Sequence, residues 1–400
     1  MRFLHVSDTH IGYAKFNRLT SDGLNQREAD FFDAFRQAVD LAIAQRVDFV
    51  LHSGDLFDAV RPTNRAIAFV MSECVRLHVA GIPFVVIGGN HEAPRLRETG
   101  SVLRVIEHVP GVLAAYKGRT EGFRIGETAI HATPHADSSD ALRAQLASIK
   151  PDPDARWNIA TLHAGVLGVG DFTTGEFHEL IVRENDLPAN MDYTALGHYH
   201  TCTEVAPRVW YAGSTERADF GDWEGDKCVL LVDLASGAVT PHALRTRRLF
   251  WLEDLAAAGL RDSHIGPMLY ERLEKADMSD AVVRLRVTGL PSHVYSTLDF
   301  ARIKKLTQAA LHFDLKCEIV RQQTEGAEVG SIGELADEFD AYLNAEVIEH
   351  DRDEISRLGR ELLMAALAGA PGEANLDGRD EGDESADDGS SAAAGLEATP

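Results

Sequence analysis

A chain of 400 residues with 44% hydrophobic side chains, 33 Gly and 14 Pro has the length of two or three globular units, which excludes a peptide hormone or a fibrous protein. Its 39 Lys and Arg stand against 63 Asp and Glu, a net charge of −24, so attraction to a phosphate backbone cannot come from the chain as a whole and any nucleic-acid binding must be local. Cys74, Cys202, Cys228 and Cys317 are far apart with no CxxC pair, which argues against a disulfide framework or zinc ribbon, and no run reaches the roughly 18–20 apolar residues of a membrane span. These features predict a soluble, cytoplasmic protein with no membrane partner.

The first half repeats one pattern, an apolar run ending in polar residues and followed by helical spacing. Residues 3–6 lead to Ser7-Asp8-Thr9-His10, residues 48–51 to His52-Ser53-Gly54-Asp55, and residues 83–87 to Gly88-Gly89-Asn90-His91. Residues 29–44 and 66–79 between them carry helical periodicity, so strands and helices alternate as in an α/β domain. From about 120 to 239 the runs are shorter and β-like, at 123–130, 157–162, 193–196, 209–211 and 228–234. A basic run, Arg245-Thr246-Arg247-Arg248, marks a boundary. Strands are expected at 281–287 and 315–320 around a helix at 300–311, a small α/β module. After Gly330 the spacing becomes helical, and beyond Ala370 nine acids and one base with almost no large apolar residue predict a disordered tail of charge −8, leaving −16 on the rest.

Five segments hold the candidate ligands: Asp8-Thr9-His10, Gly54-Asp55, Gly89-Asn90-His91-Glu92, His163 and Gly197-His198-Tyr199-His200. Each alone is weak; together, at successive strand ends, they are specific. Carboxylates, an amide oxygen and imidazoles without a thiolate suit Mn²⁺, Fe²⁺ or Zn²⁺. A carboxylate shared by two cations would hold them about 3.5–4 Å apart, the spacing used in two-metal phosphodiester hydrolysis. With Asp8 and Asp55 as the charged ligands, about two positive charges remain for nucleophile and substrate.

This set resembles the calcineurin-like metallophosphoesterase superfamily, all five of whose motifs are present. The resemblance implies a four-layer α-β-β-α sandwich over 1–245. It also implies one metal held by Asp8, His10, Asp55 and His200, and another held by Asp55, Asn90, His163 and His198. His91 would be the general acid or phosphate-contacting histidine, and Glu92 a supporting or helix-start residue.

A narrower likeness rests on His10-Ile11-Gly12-Tyr13, Asn25-Gln26-Arg27-Glu28-Ala29-Asp30-Phe31, Gly54-Asp55-Leu56-Phe57-Asp58 and Tyr211-Ala212-Gly213-Ser214-Thr215-Glu216-Arg217. These resemble SbcD-type double-strand-break repair nucleases, relatives of the eukaryotic meiotic-recombination nuclease. The implied protein is a two-Mn²⁺ exonuclease or endonuclease with a DNA-binding α/β cap over 246–325. A helical segment over 330–370 would bind the coiled coil of an SbcC-type ATPase, followed by the acidic tail over 371–400. A homodimer is implied through the Ile67, Val70, Met71, Cys74, Val75 face and the 102–109 run, which read equally as plain core. Asp58 stands where some members carry histidine, so no phosphate contact is assigned to it.

Candidate DNA contacts are Tyr13, Lys15 and Asn17 after the first ligand loop, then Arg245, Arg247, Arg248, Arg302, Lys304 and Lys305, although solvated or interface charges account for them nearly as well. His5, His52, His131, His135 and His178 lack motif support and read as satisfied or surface histidines. The alternatives to a DNA nuclease are a small-molecule phosphodiesterase or phosphatase on the same fold, and a DNA-tethering scaffold that does not cut.

Overall fold

The computed structural model describes residues 1–94, 100–168, 179–222, 225–320, 339 and 352–367. In chain order the first half runs β1 (Arg2–Val6), α1 (Gln26–Gln45), β2 (Phe49–His52), α2 (Asn64–Val79), β3 (Phe84–Ile87), α3 (Leu103–Ile106) and β4 (Val112–Ala115). It continues through β5 (Glu121–Ile125), β6 (Thr128–Thr133), α4 (Ser139–Ser148), β7 (Trp157–His163), β8 (Gly165–Val166), β9 (Ile181–Val182) and β10 (Tyr193–Gly197). Then come β11 (Thr203–Ala206), β12 (Val209–Tyr211), β13 (Cys228–Asp233) and β14 (Ala238–Ala243). The run expected at 123–130 is a hairpin, because Gly126 takes a φ of 54° and turns the chain between β5 and β6.

β1 alternates cleanly. Phe3 faces a core shared with Phe49, Leu51, Val85, Ile130, Ile159 and Tyr193, whereas Leu4 and Val6 face Phe32, Phe35, Val39 and Val70 of α1 and α2. Burial on both faces explains why β1, β2 and β3 read as continuous apolar runs. Two six-stranded sheets result, β14-β13-β1-β2-β3-β4 and β11-β12-β10-β7-β6-β5, with the Phe3 core between them. α1 and α2 cover the first sheet, and α4 covers the second through Leu142 and Leu146 against Leu162 and Leu196. That is the expected four-layer sandwich. Local chemistry sets the helix starts: Asn25 accepts from the backbone N–H groups of Arg27 and Glu28, and Thr63 from that of Ala66.

Most of the α2 face named above is core. Val70 and Cys74 are buried and Ile67 and Met71 pack against them, while Val75, Val79 and Val105 are exposed.

Residues 249–320 build a third sheet, β15 (Leu249–Trp251), β16 (Leu255–Ala256), β17 (Val282–Pro291) and β18 (His312–Val320), with α5 (Asp262–Lys275), α6 (Ser292–Thr297) and α7 (Phe300–Leu306). α7 stops at Leu306, short of the expected 311. This sheet has its own core of Ile265, Leu269, Leu273, Val283, Leu285 and Val287. It belongs to the same compact unit as the sandwich, residues 1–321.

A second unit begins at 322, and its described helix is α8 (Arg352–Leu367), with Ile355, Leu358 and Leu362 exposed. The expected helical segment at 330–370 is described only at 339 and 352–367; the acidic tail at 371–400 and His178 lie outside the described residues. Among the described residues no helix is long and apolar enough to cross a membrane.

Candidate metal centre

Every candidate ligand sits at the C-terminal end of a strand. Asp8 and His10 follow β1, Asp55 follows β2, Asn90 and His91 follow β3, His163 ends β7, and His198 and His200 follow β10. The two sheets therefore deliver their polar strand ends to one rim, where open parallel sheets place ligands.

Asp55 is the junction. Its Oδ2 lies 3.2 Å from His163 Nε2 and 4.0 Å from His10 Nε2, while its Oδ1 accepts from the backbone N–H of His91 at 3.0 Å. Asn90 Oδ1 lies 2.9 Å from His163 Nε2, and Asp8 Oδ1 lies 4.0 Å from it. On the other side His10 Nε2 and His200 Nε2 are 3.2 Å apart. Three overlapping groups, Asp8/His10/His200, His10/Asp55/His91 and Asp8/Asp55/His163, each bring their ligand atoms within 4.8 Å of one another.

The donor set fits a divalent cation. Two imidazole nitrogens about 3 Å apart match two ligands at about 2.0–2.1 Å from one ion. His163 Nδ1 donates to the Ser53 carbonyl at 2.8 Å, which turns Nε2 toward Asp55 and Asn90 as the nitrogen that a cation would take in place of a proton. Burial alone would lower the His163 imidazole, but Asp55 and Asp8 outweigh it and raise it to about 10. Burial likewise opposes, and Asp222 reverses, the shift of His200 up to about 9. Burial would raise the Asp55 carboxyl, yet His163, His10 and His91 hold it well below the usual carboxylate range. The anionic rim therefore gathers positive charge, the condition that suits a cation.

Glycines make room for this crowding. A Cβ on Gly89 would run into the Asp55 side chain and backbone nitrogen, one on Gly54 into the His163 ring, and one on Gly197 into the Ser53 carbonyl. Asp8, His10, Asp55 and His198 all have positive φ, of 49°, 41°, 53° and 98°, strain of a kind that concentrates at functional sites.

His198 stands somewhat apart. Its backbone N–H donates to Asp8 Oδ1 at 3.0 Å, its ring packs 5.4 Å from that of His163, and its Nε2 lies 3.5 Å from Glu179 Oε1. His91 packs edge-on against His10 at 4.6 Å and donates from Nδ1 to the Asp58 carbonyl at 3.0 Å.

The basic candidates fall into two sets. Lys15, Asn17, Arg245, Lys304 and Lys305 are exposed. The others have intrachain work. Tyr13 donates to the Ala218 carbonyl at 2.6 Å, Arg248 pairs with Asp277 at 3.0 Å, and Arg302 pairs with Glu274 at 2.8 Å. Arg247 grips both oxygens of Asp30, at 2.5 and 2.6 Å, and donates to the Asp280 carbonyl, joining the sandwich to the third sheet.

Sequence reasoning gave no role to Asp58 or Asp222, whereas Glu92 takes the supporting place that was one of its two expected ones. Asp58 Oδ1 is 3.4 Å from His10 Nδ1, and Asp222 Oδ2 is 3.5 Å from His200 Nδ1. Glu92 accepts from the Leu56 N–H at 3.0 Å, and burial with Asp55 nearby raises its carboxyl well above the usual range. Asp222 lies in a run of acids that reads as a solvated loop, so no spacing signal marks it. His5 and His52 are satisfied core histidines at least in part: His5 bonds Tyr193 Oη at 3.0 Å and Ser53 Oγ at 2.9 Å, and His52 Nε2 meets Thr9 Oγ1 at 3.0 Å.

A model of the calcineurin-like phosphoesterase family matches residues 1–202. A protein of Sulfurisphaera tokodaii named DNA double-strand break repair protein Mre11 is 34% identical over 202 residues, 50% of this chain and 49% of that protein. The Thermoplasma acidophilum protein of the same name is 31% identical over 261 residues, 61% of this chain and 65% of that one. The Halobacterium salinarum one is 30% identical over 304 residues, 72% of this chain and 70% of that one. The chain thus spans about half the length of the first of these relatives.

Proposed function

This chain belongs to the calcineurin-like phosphoesterase family and, within it, to the Mre11 or SbcD-type group, and on that premise we propose that it is a metal-dependent DNA nuclease of double-strand-break repair. The observation that carries the reading is the convergence of Asp8, His10, Asp55, His163 and His200 ligand atoms on one rim between two sheets. We assign Asp8, His10, Asp55 and His200 to one Mn²⁺ and Asp55, Asn90, His163 and His198 to a second. When bound, the cations supply charge neutralisation at the phosphate and a nucleophile at neutral pH.

The chain's own groups do the rest. Asp55, reaching both halves of the cluster, is the shared carboxylate. The Ser53 carbonyl fixes the His163 tautomer. His91 is the general acid: its Nδ1–H is committed to the Asp58 carbonyl, so Nε2 is the nitrogen that holds the proton for the leaving oxygen. Residues 246–325 act as the cap that admits DNA, with exposed Lys15, Asn17, Arg245, Lys304 and Lys305 as backbone contacts. The clasped Arg247 and Arg248 and the paired Arg302 support that surface. Exposed Val75 and Val79 of α2 and Val105 of α3 support a homodimer through these helices, and the exposed Ile355, Leu358 and Leu362 stripe of α8 supports docking of an SbcC-type ATPase. An acidic chain relies on that partner for much of its DNA affinity, and the setting is intracellular.

A divalent-metal panel on a labelled DNA hairpin, with and without a co-purified ATPase of that type, tests the reading. Cleavage with Mn²⁺ is expected. His91→Ala is expected to keep metal binding and lose at least about 100-fold in rate. Hydrolysis of small phosphodiesters with no action on DNA under any condition favours the small-molecule reading instead.

A further inference from the structure

The loop between β12 and β13 places a buried acid and a buried lysine behind His200. Asp222 Oδ2 accepts from Ser214 Oγ at 3.1 Å and from the Ala218 N–H at 3.3 Å, and lies 3.5 Å from His200 Nδ1. Its Oδ1 takes the Lys227 ammonium, whose side chain is 3% exposed. The same ammonium donates to the His200 backbone carbonyl at 3.0 Å, and that carbonyl also accepts from the Ser214 N–H at 3.1 Å. One lysine thus holds His200 twice, through its main chain and, by way of Asp222, through its ring.

A loop brace alone has no need of this arrangement. Ser214, Ala218 and Lys227 already satisfy the carboxylate, yet Asp222 also faces Nδ1 of the one imidazole whose Nε2 points at His10. Carboxylates in this position fix the tautomer of a metal-ligating histidine and turn its ring. The neighbouring ligand differs: His10 Nδ1 is buried without a hydrogen bond, although Asp58 Oδ1 is 3.4 Å away. Orientation within the Asp8/His10/His200 group therefore depends on His200, the better anchored of the two imidazoles.

We propose that Asp222 is a positioning residue, held by Lys227, that keeps His200 with Nδ1–H toward the carboxylate and Nε2 toward Asp8 and His10, and so sets the affinity of that half of the centre for a divalent cation. The inference rests on the metal-centre reading above, and its test separates the two. Mn²⁺ is titrated calorimetrically into the full chain, into Asp222→Ala, Asp222→Asn and Lys227→Met, and into His200→Ala as the reference for a lost site.

The wild type is expected to bind with two classes of affinity. Asp222→Ala weakens one class about 10- to 100-fold. Asp222→Asn, which keeps an acceptor for Nδ1–H, recovers most of that loss. Lys227→Met, which releases Asp222 while leaving acid and imidazole in place, weakens the same class and stands in if the alanine variant does not fold. In Asp222→Ala, excess Mn²⁺ restores kcat for DNA cleavage, because the loss is in occupancy. Wild-type-like Mn²⁺ affinity in Asp222→Ala, or in Lys227→Met where the first does not fold, overturns the proposal and leaves the metal centre standing. Failure of the wild type to bind Mn²⁺ overturns the metal centre itself.

Discussion

His5 lies in the core directly beneath the rim, its two ring nitrogens bonded to Tyr193 and Ser53, and Ser53 in turn holds His163. Burial pushes its imidazole down to about 3, with a backbone contact to Leu196 opposing. In the unfolded chain it titrates near 6.5. The folded state therefore binds fewer protons than the unfolded one between these values, and stability falls as pH drops through 6.5 toward 3. The penalty approaches about 1.4 kcal/mol per pH unit, or about 2 kcal/mol between pH 7.5 and pH 5.

His5→Gln keeps a polar side chain and removes the titration. Neighbouring His163 and His200 also titrate, but they do so in both proteins and cancel in the comparison. Urea unfolding of wild type and variant with chelator present, at the two pH values, gives the difference directly. It is expected to move about 2 kcal/mol in the variant's favour at the lower pH. A difference that stays constant would mean that His5 takes up its proton in the folded protein and that the buried chain beneath the rim is open to solvent.

Gly89→Ala drives a Cβ into the Asp55 side chain; a displacement of this kind is expected to cost about 100-fold or more in phosphodiesterase rate and to lower bound Mn²⁺, measured by steady-state kinetics and elemental analysis. Arg247→Ala removes the link between sandwich and third sheet, in which Arg247 and Asp30 are 15% and 10% exposed; Arg27 and Gln26 still hold Asp30, so a loss of about 2 kcal/mol is expected in denaturant unfolding, with Arg247→Lys restoring only part because the two-pronged grip on Asp30 is lost. Phe35→Ala, in the core between α1 and the first sheet, is expected to cost about 3–5 kcal/mol while the metal affinity of the folded fraction is unchanged.

Much of the centre was legible because each ligand ends a strand, where an apolar run gives way to Asp, Asn or His. Parallel strands buried on both faces write themselves as uninterrupted Phe, Leu, Val and Ile, so β1, β2 and β3 fall within a residue or two of their expected bounds. The β5–β6 hairpin was hidden because Gly126-Glu127 interrupts the run too briefly to register, and α7 was overextended because Ala309, Ala310 and Leu311 continue its apolar content past its end. Asp222, Lys227 and Asp58 were invisible for a different reason. Their roles come from contacts 20 or more residues away or across a turn, and an acid amid acids carries no periodic signal. Arg247 shows the converse: a basic run that reads as a phosphate contact closes onto Asp30, because the chain crosses there from sandwich to third sheet.

The central claim is that Asp55 joins two cation sites into one DNA-cleaving centre. The initial rate of labelled-DNA cleavage against Mn²⁺ concentration, wild type beside Asp55→Asn, tests it most directly. Mn²⁺-dependent cleavage by the wild type, abolished by chelator, is expected, with a rate at least about 100-fold lower in Asp55→Asn at every Mn²⁺ concentration. Cleavage by Asp55→Asn at the wild-type rate, or wild-type DNA left intact at all Mn²⁺ concentrations, would contradict it.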